Sequence, residues 1–132
     1  MTPQEAVDVM LGVFLAAWAP RAAVYSDVPA EVPTTQVPWA RPVILHATSD
    51  HTLANDVGAR RFDAMGLLWI QTFAPVGDGN VNGYQNAQLL LNAYRDARVA
   101  VWFRNIRLEE MGRDGVFSRY DIKADFEYED VR

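Results

Sequence analysis

The chain has 132 residues, the length of one domain, and 50% of them are hydrophobic against 22% charged, the balance of a globular core. Its formal net charge of −5 argues against a nucleic-acid binder held by a basic surface, because neutralising phosphates takes clustered lysine or arginine. It has no cysteine, which removes disulfides, thiolate metal sites, iron–sulfur clusters and cysteine nucleophiles.

No apolar run approaches the roughly 18 residues that a bilayer span requires. Met1 to Glu5 lack the basic region of a secretory signal. The expectation is a soluble protein made in a cytoplasm, with a single domain over residues 1–132.

The first predicted element is a helix. Thr2 and Glu5 stand three apart as a capping box, with Pro3 at the first helical position, where a missing N–H costs nothing. Val7, Met10, Leu11, Phe14 and Trp18 then recur on one side, and Pro20 ends the run. Side chains of that size must dock on something, and a sheet is the expected partner.

A short strand follows within residues 22–28. Pro29, Pro33, Pro38 and Pro42 then punctuate an extended connection that cannot be a central strand, because proline donates nothing to a ladder. Residues 42–48 read as a second strand, residues 49–58 as a polar, turn-rich loop, and residues 60–73 as a long third strand. Phe62, Leu68 and Ile70 fall on one face of that strand, and Met65, Leu67, Trp69 and Phe73 on the other. Its end, apolar on both faces, suits a strand covered on two sides.

Residues 74–80 form a turn cluster, and a second helix runs from Val81 or Gly83 to about Ala97. Its inner stripe is Tyr84, Ala87, Leu90, Leu91, Tyr94 and Ala97. Two strands close the pattern, over residues 103–110 and 116–129, joined by a loop over residues 111–115 with two glycines available for positive φ. In the last strand Tyr120, Ile122, Ala124, Phe126 and Tyr128 alternate with Arg119, Asp121, Lys123, Asp125 and Glu127, which predicts a half-solvated antiparallel strand. The predicted fold is α+β: two helices packed on one face of a mostly antiparallel sheet, in the order α-β-β-β-α-β-β.

Residues able to carry chemistry are sparse. His51, with Asp50 and Asp56 near it, allows a metal site or an acid–base pair, but an Asp- and Asn-rich loop is ordinarily a solvated turn. His46, inside an apolar strand, reads as a wall residue. Ser26, Ser49 and Ser118 lie in no nucleophile elbow. Gly77, Asp78 and Gly79 lack the lysine of a phosphate loop. Glu109, Glu110 and the acids from Asp125 to Asp130 read as solubility and edge protection. No catalytic residue, metal ligand or cofactor is therefore expected.

Of the 12 basic residues only Lys123 is a lysine. Arginine is favoured at interfacial contacts, although a GC-rich genome gives the same bias. Residues 1–59 are acidic and residues 60–132 nearly balanced, an asymmetry that suits head-to-tail association of identical subunits.

The whole pattern resembles a known group. The opening helix ends in Leu15, Ala16, Ala17, Trp18, Ala19 and Pro20; a proline-punctuated loop carries Val28 and Pro29, then Val37 and Pro38; Arg41 to Leu45 follow. The long strand ends in Phe73, Ala74 and Pro75, with Gly77 and Gly79 before the second helix. In these features the chain is similar to the tail terminator, or tail-completion, proteins of long-tailed bacteriophages. The resemblance implies a virion protein without bond chemistry. It would form a ring, typically a hexamer, that caps the tail tube, stops its polymerisation and joins it to the head connector. The implied partners are copies of itself, the tail tube protein and the head–tail connector protein. DNA would pass through the lumen unread, and the site would be the tail–neck junction.

On that reading the contact elements are loops: the proline-rich arm with Trp39 and Arg41, the loop with Asp50, His51 and Asp56, and the hairpin tip with Arg113 and Asp114. Arg60 and Arg61 would join the subunit contacts. Two alternatives stay open. One is a head-side connector or stopper of the phage neck. The other is a dimeric α+β small-molecule binder or enzyme whose pocket uses Tyr25, Tyr120, Trp69 and Trp102.

Overall fold

The computed structural model describes residues 1–25, 37–54, 61–76 and 79–131, with side chains for all of these except 48–54, 61, 62, 79–81 and 131. The element order is α1 (Pro3–Trp18), β1 (Ala22–Ala23), β2 (Trp39–Ala54), β3 (Arg61–Pro75), α2 (Gly79–Asp96), β4 (Trp102–Asp114) and β5 (Phe117–Val131). This is the predicted α-β-β-β-α-β-β order. The described strands form one sheet in the order β1-β2-β3-β5-β4, and among them only the β1–β2 pair is parallel.

The capping box at the start of α1 is complete: Glu5 N donates to Thr2 Oγ1, and Thr2 N donates to the Glu5 carboxylate, each at 3.2 Å. The helix buries Ala6, Met10, Phe14 and Trp18, a single file spaced by four. Val7 and Leu11 sit on its shoulders, half-buried. Its principal neighbour is α2 rather than the sheet. The buried Tyr94 hydroxyl on α2 donates to the Met10 carbonyl at 2.9 Å and ties the two helices together. Burial pushes the Tyr94 phenol pKa well above its ordinary value.

Both helices lie on the same face of the sheet. That face presents Ala64, Leu68, Ile70 and Ala74 from β3 and Tyr120, Ile122, Ala124, Phe126 and Tyr128 from β5, all in one core with the helix side chains. Gly66 is required there: a Cβ would overlap the Leu45 carbonyl oxygen and stand 2.6 Å from the Phe126 ring. His46 lines the same side as predicted, paired with the Tyr128 hydroxyl at 2.9 Å. Its pKa is lowered by burial.

Three differences from the sequence reading have local causes. β2 begins at Trp39 and runs to Ala54, through the expected loop, with register shifts between Thr48 and Ala54 that absorb its polar residues. In β4, Asn105 and Ile106 together face Ala124, and Asn105 takes a φ of 52°. This bulge lets both Phe103 and Ile106 reach the core, which strict alternation forbids. The β4–β5 connection is also tighter than residues 111–115. Strand pairing continues to Asp114 opposite Phe117, leaving a two-residue turn at Gly115 and Val116. Gly115 has a φ of 63° and stands first in that turn, where a type II′ hairpin needs glycine. Among the described residues no helix is long and apolar enough to cross a membrane.

Candidate interaction surface

The other face of the sheet carries the residues of opposite parity, and no described helix packs on it. Strand pairing sets them in rows. Ala47, Met65, Glu127 and Trp102 form one row; Leu45, Leu67, Asp125 and Arg104 the next. Val43, Trp69, Lys123 and Arg107 follow, then Arg41, Gln71, Asp121 and Glu109. Apart from the row of Arg41 and Gln71, the β2–β3 half of this face is apolar, and the β5–β4 half is charged except for Trp102.

Leu45 is 50% exposed and Met65 is 39% exposed. A shallow depression of about 580 Å³ has these two, Ala47 and Leu67 as its apolar floor and Arg104, Arg107 and Asp125 along one side. The alternation of β5 predicts a fully wet outer row, but the charges there are knitted together. Asp121 is completely buried. It accepts from Trp69 Nε1 at 2.7 Å and from Arg119 Nε and Nη2 at 2.8 and 2.9 Å. Lys123 bridges Glu109 at 2.9 Å, and Arg104 pairs with Glu127. The Lys123 ammonium beside Glu109 holds its carboxyl below the ordinary carboxylate value. Glu127 is shifted the other way, because the Asp63 carboxyl hydrogen-bonds to it and burial adds to the effect. Nothing local in the sequence links Trp69 or Arg119 to Asp121, apart from the spacing of two that sets Arg119 and Asp121 on one strand face.

At one corner, Trp39 stacks on Phe73 with ring centroids 4.0 Å apart, and Phe117 meets both edge-on. With Val24 these form a second small core, separate from the one under the helices. Arg41 lies over the Trp39 ring.

The predicted contact residues are dispersed. Trp39 and Arg41 belong to β2, not to an arm, and Trp39 is buried. Asp50 and His51 lie within β2 as well, so the expected loop is a strand at those positions. Asp56 and Arg60 fall outside the described residues. Arg61 opens β3. Arg113 and Asp114 end β4 beside the turn. Among these, Trp39, Arg41 and Asp114 line one slot. The four aromatics of the alternative pocket are not brought together: Tyr120 faces the helices, Trp69 the opposite side, and Trp102 is exposed. Among the described residues no group of three His, Cys, Asp or Glu could hold a metal.

No family model and no curated protein matches this chain. Among solved structures, one that is similar in fold carries a name that states no function. It has 16% identity and a TM-score of 0.59 over 96% of this chain and 95% of that one. At that identity the likeness is one of architecture alone, and it spans nearly the full length of both chains.

Proposed function

We propose that this chain is a structural protein of a phage tail, a terminator that closes into a ring, probed first through the sheet face on which no described helix packs. The observation that supports this most is that face. It is a broad surface, apolar along β2 and β3 with Leu45 and Met65 outermost, and lined by paired charges along β5 and β4. Contiguous exposed apolar surface beside a polar margin is the ordinary layout of a protein–protein contact. The resemblance to tail terminators rests on the element order and on the strand end at Phe73, Ala74 and Pro75.

On this reading the work is geometric. Copies of the chain close a ring on the tube end and block addition of further tube subunits. A net charge of −5 would keep passing DNA from sticking to the lumen. The partners are other copies, the tube protein below and the connector above.

The test is polymerisation of the tail tube protein with and without this chain, followed by electron microscopy. Tubes that stop at a defined length and carry a ring at one end support the reading. Tubes of unchanged length with bare ends, together with wild-type tail lengths after deletion of the gene, would rule it out.

A further inference from the structure

The outer face contains one donor pair twice, and only one copy is filled. Trp69 and Arg119 are the first. The Arg119 guanidinium lies over the Trp69 ring, 5.7 Å from its centroid, and both side chains donate to the Asp121 carboxylate. Trp39 and Arg41 are the second. The Arg41 guanidinium lies over the Trp39 ring at 5.4 Å. Trp39 is 3% exposed, and its enclosed Nε1 has no acceptor among the described residues. Arg41 forms no ion pair among them either; its one polar contact is a long 3.5 Å bond to Gln71 Oε1.

A buried indole N–H without an acceptor forfeits a hydrogen bond that water would have supplied. A half-buried guanidinium without an anion leaves a two-pronged donor unused. Trp39 and Arg41 line a slot of about 220 Å³ between the end of the β4–β5 hairpin and the β2–β3 ladder, together with Phe73, Phe117, Asp114 and Arg119. Nε1 itself is enclosed behind that lining, so an acceptor reaches it only as a lining side chain moves aside.

We infer that this slot binds a carboxylate, which accepts from Arg41 and from Trp39 Nε1 as Asp121 accepts from Arg119 and Trp69. The size suits a single acidic side chain or a small organic acid. Asp114 shares the lining and its charge acts on Arg119, while it forms no ion pair with Arg41 among the described residues, so its negative charge opposes the incoming one. This inference does not rest on the ring reading. The carboxylate can come from an acidic side chain of a second copy, in a chain with 17 acids against 12 bases, or from a free acid in solution.

The experiment follows the indole N–H resonances of the full-length protein by NMR while glutarate is added. Trp39→Phe identifies the Trp39 signal. The Trp69 signal, already engaged with Asp121, is the internal control for an intact outer face. Binding predicts a saturable shift of Trp39 with Trp69 unmoved. Arg41→Gln should weaken it about tenfold, Arg41→Lys should weaken it less, and Asp114→Asn should strengthen it. A second arm raises the chain concentration without glutarate. If a neighbouring copy supplies the carboxylate, Trp39 shifts with self-association and glutarate reverses both. If the source is a free acid, Trp39 responds to glutarate alone. A Trp39 signal indifferent to both glutarate and chain concentration overturns the inference, as does an undiminished response in Arg41→Gln with the Trp69 signal in place. Neither result bears on whether the protein caps tail tubes, which the tube-length experiment reads separately.

Discussion

Trp69 Nε1 donates to Asp121 Oδ2 at 2.7 Å across the β3–β5 pair, and the same carboxylate receives two bonds from Arg119. A side chain with no exposure loses its contacts with water, and here three N–H donors stand in their place. Asp121→Ala strands the indole N–H and the guanidinium together. Because Arg119 keeps some contact with solvent, the expected loss is about 2–3 kcal/mol, below the full cost of an enclosed broken pair. Urea denaturation measures it, and a change under about half a kcal/mol would mean that water satisfies these groups as well as Asp121 does.

Two glycine substitutions should act in opposite directions. Gly66→Ala drives a methyl group into the Leu45 backbone and the Phe126 ring, neither of which can yield without moving the sheet. Overpacking of this kind costs about 1–3 kcal/mol or more. At Gly12, inside α1, a Cβ meets nothing within 4 Å. Gly12→Ala should therefore stabilise by about 0.8–1 kcal/mol through helix propensity alone. Thermal melts of the two variants beside the parent decide both.

The Asp63–Glu127 contact makes stability depend on pH. Glu127 has a folded-state pKa above its ordinary 4.5, chiefly because of Asp63, so the folded chain holds that proton more tightly than the unfolded chain does. Its contribution is favourable in acid, where the proton is bound. That contribution is lost as pH rises from the ordinary value through the raised one. Asp63→Asn removes the main cause and keeps the Arg104–Glu127 pair. The variant should be more stable than the parent at neutral pH by a few tenths of a kcal/mol, given the exposure of the site. The advantage should shrink below pH 4.5. Melting temperatures across that range check it; an advantage that grows in acid would refute the assignment.

Association through the open face predicts a separation of assembly from folding. Leu45→Glu with Met65→Glu places two charges on side chains that are already substantially exposed. Monomer stability should change by no more than about half a kcal/mol. Ring formation, followed by sedimentation or by capping of tube ends, should be lost. A double variant that still assembles would move the subunit contact to another surface.

Glu5 answers Thr2 from three residues away, so the start of α1 is decided by local chemistry, and a sequence shows it directly. The alternation in β5 is equally local, since pleating alone sends Tyr120 and Ile122 to one side and Arg119 and Asp121 to the other. Helix and strand order followed from such periodicities. So did the placement of both helices on one face, because β5 offers them a single apolar row, its other row being charged.

The candidate contacts fared differently, because loop status was inferred from polarity. Asp50 and His51 are polar yet lie within β2, at an irregularity of the β2–β3 register between Thr48 and Thr52 that polarity alone does not reveal. Trp39, next to a proline-rich stretch, became a buried ring because Phe73 from β3 and Phe117 from β5 meet it, and no local pattern encodes that encounter. Periodicity determined which residues share a face. Only strand pairing decided which residues from distant segments touch. That difference sets Asp121 in a filled cradle of indole and guanidinium and leaves Trp39 and Arg41 with the same donors and no acceptor carboxylate among the described residues.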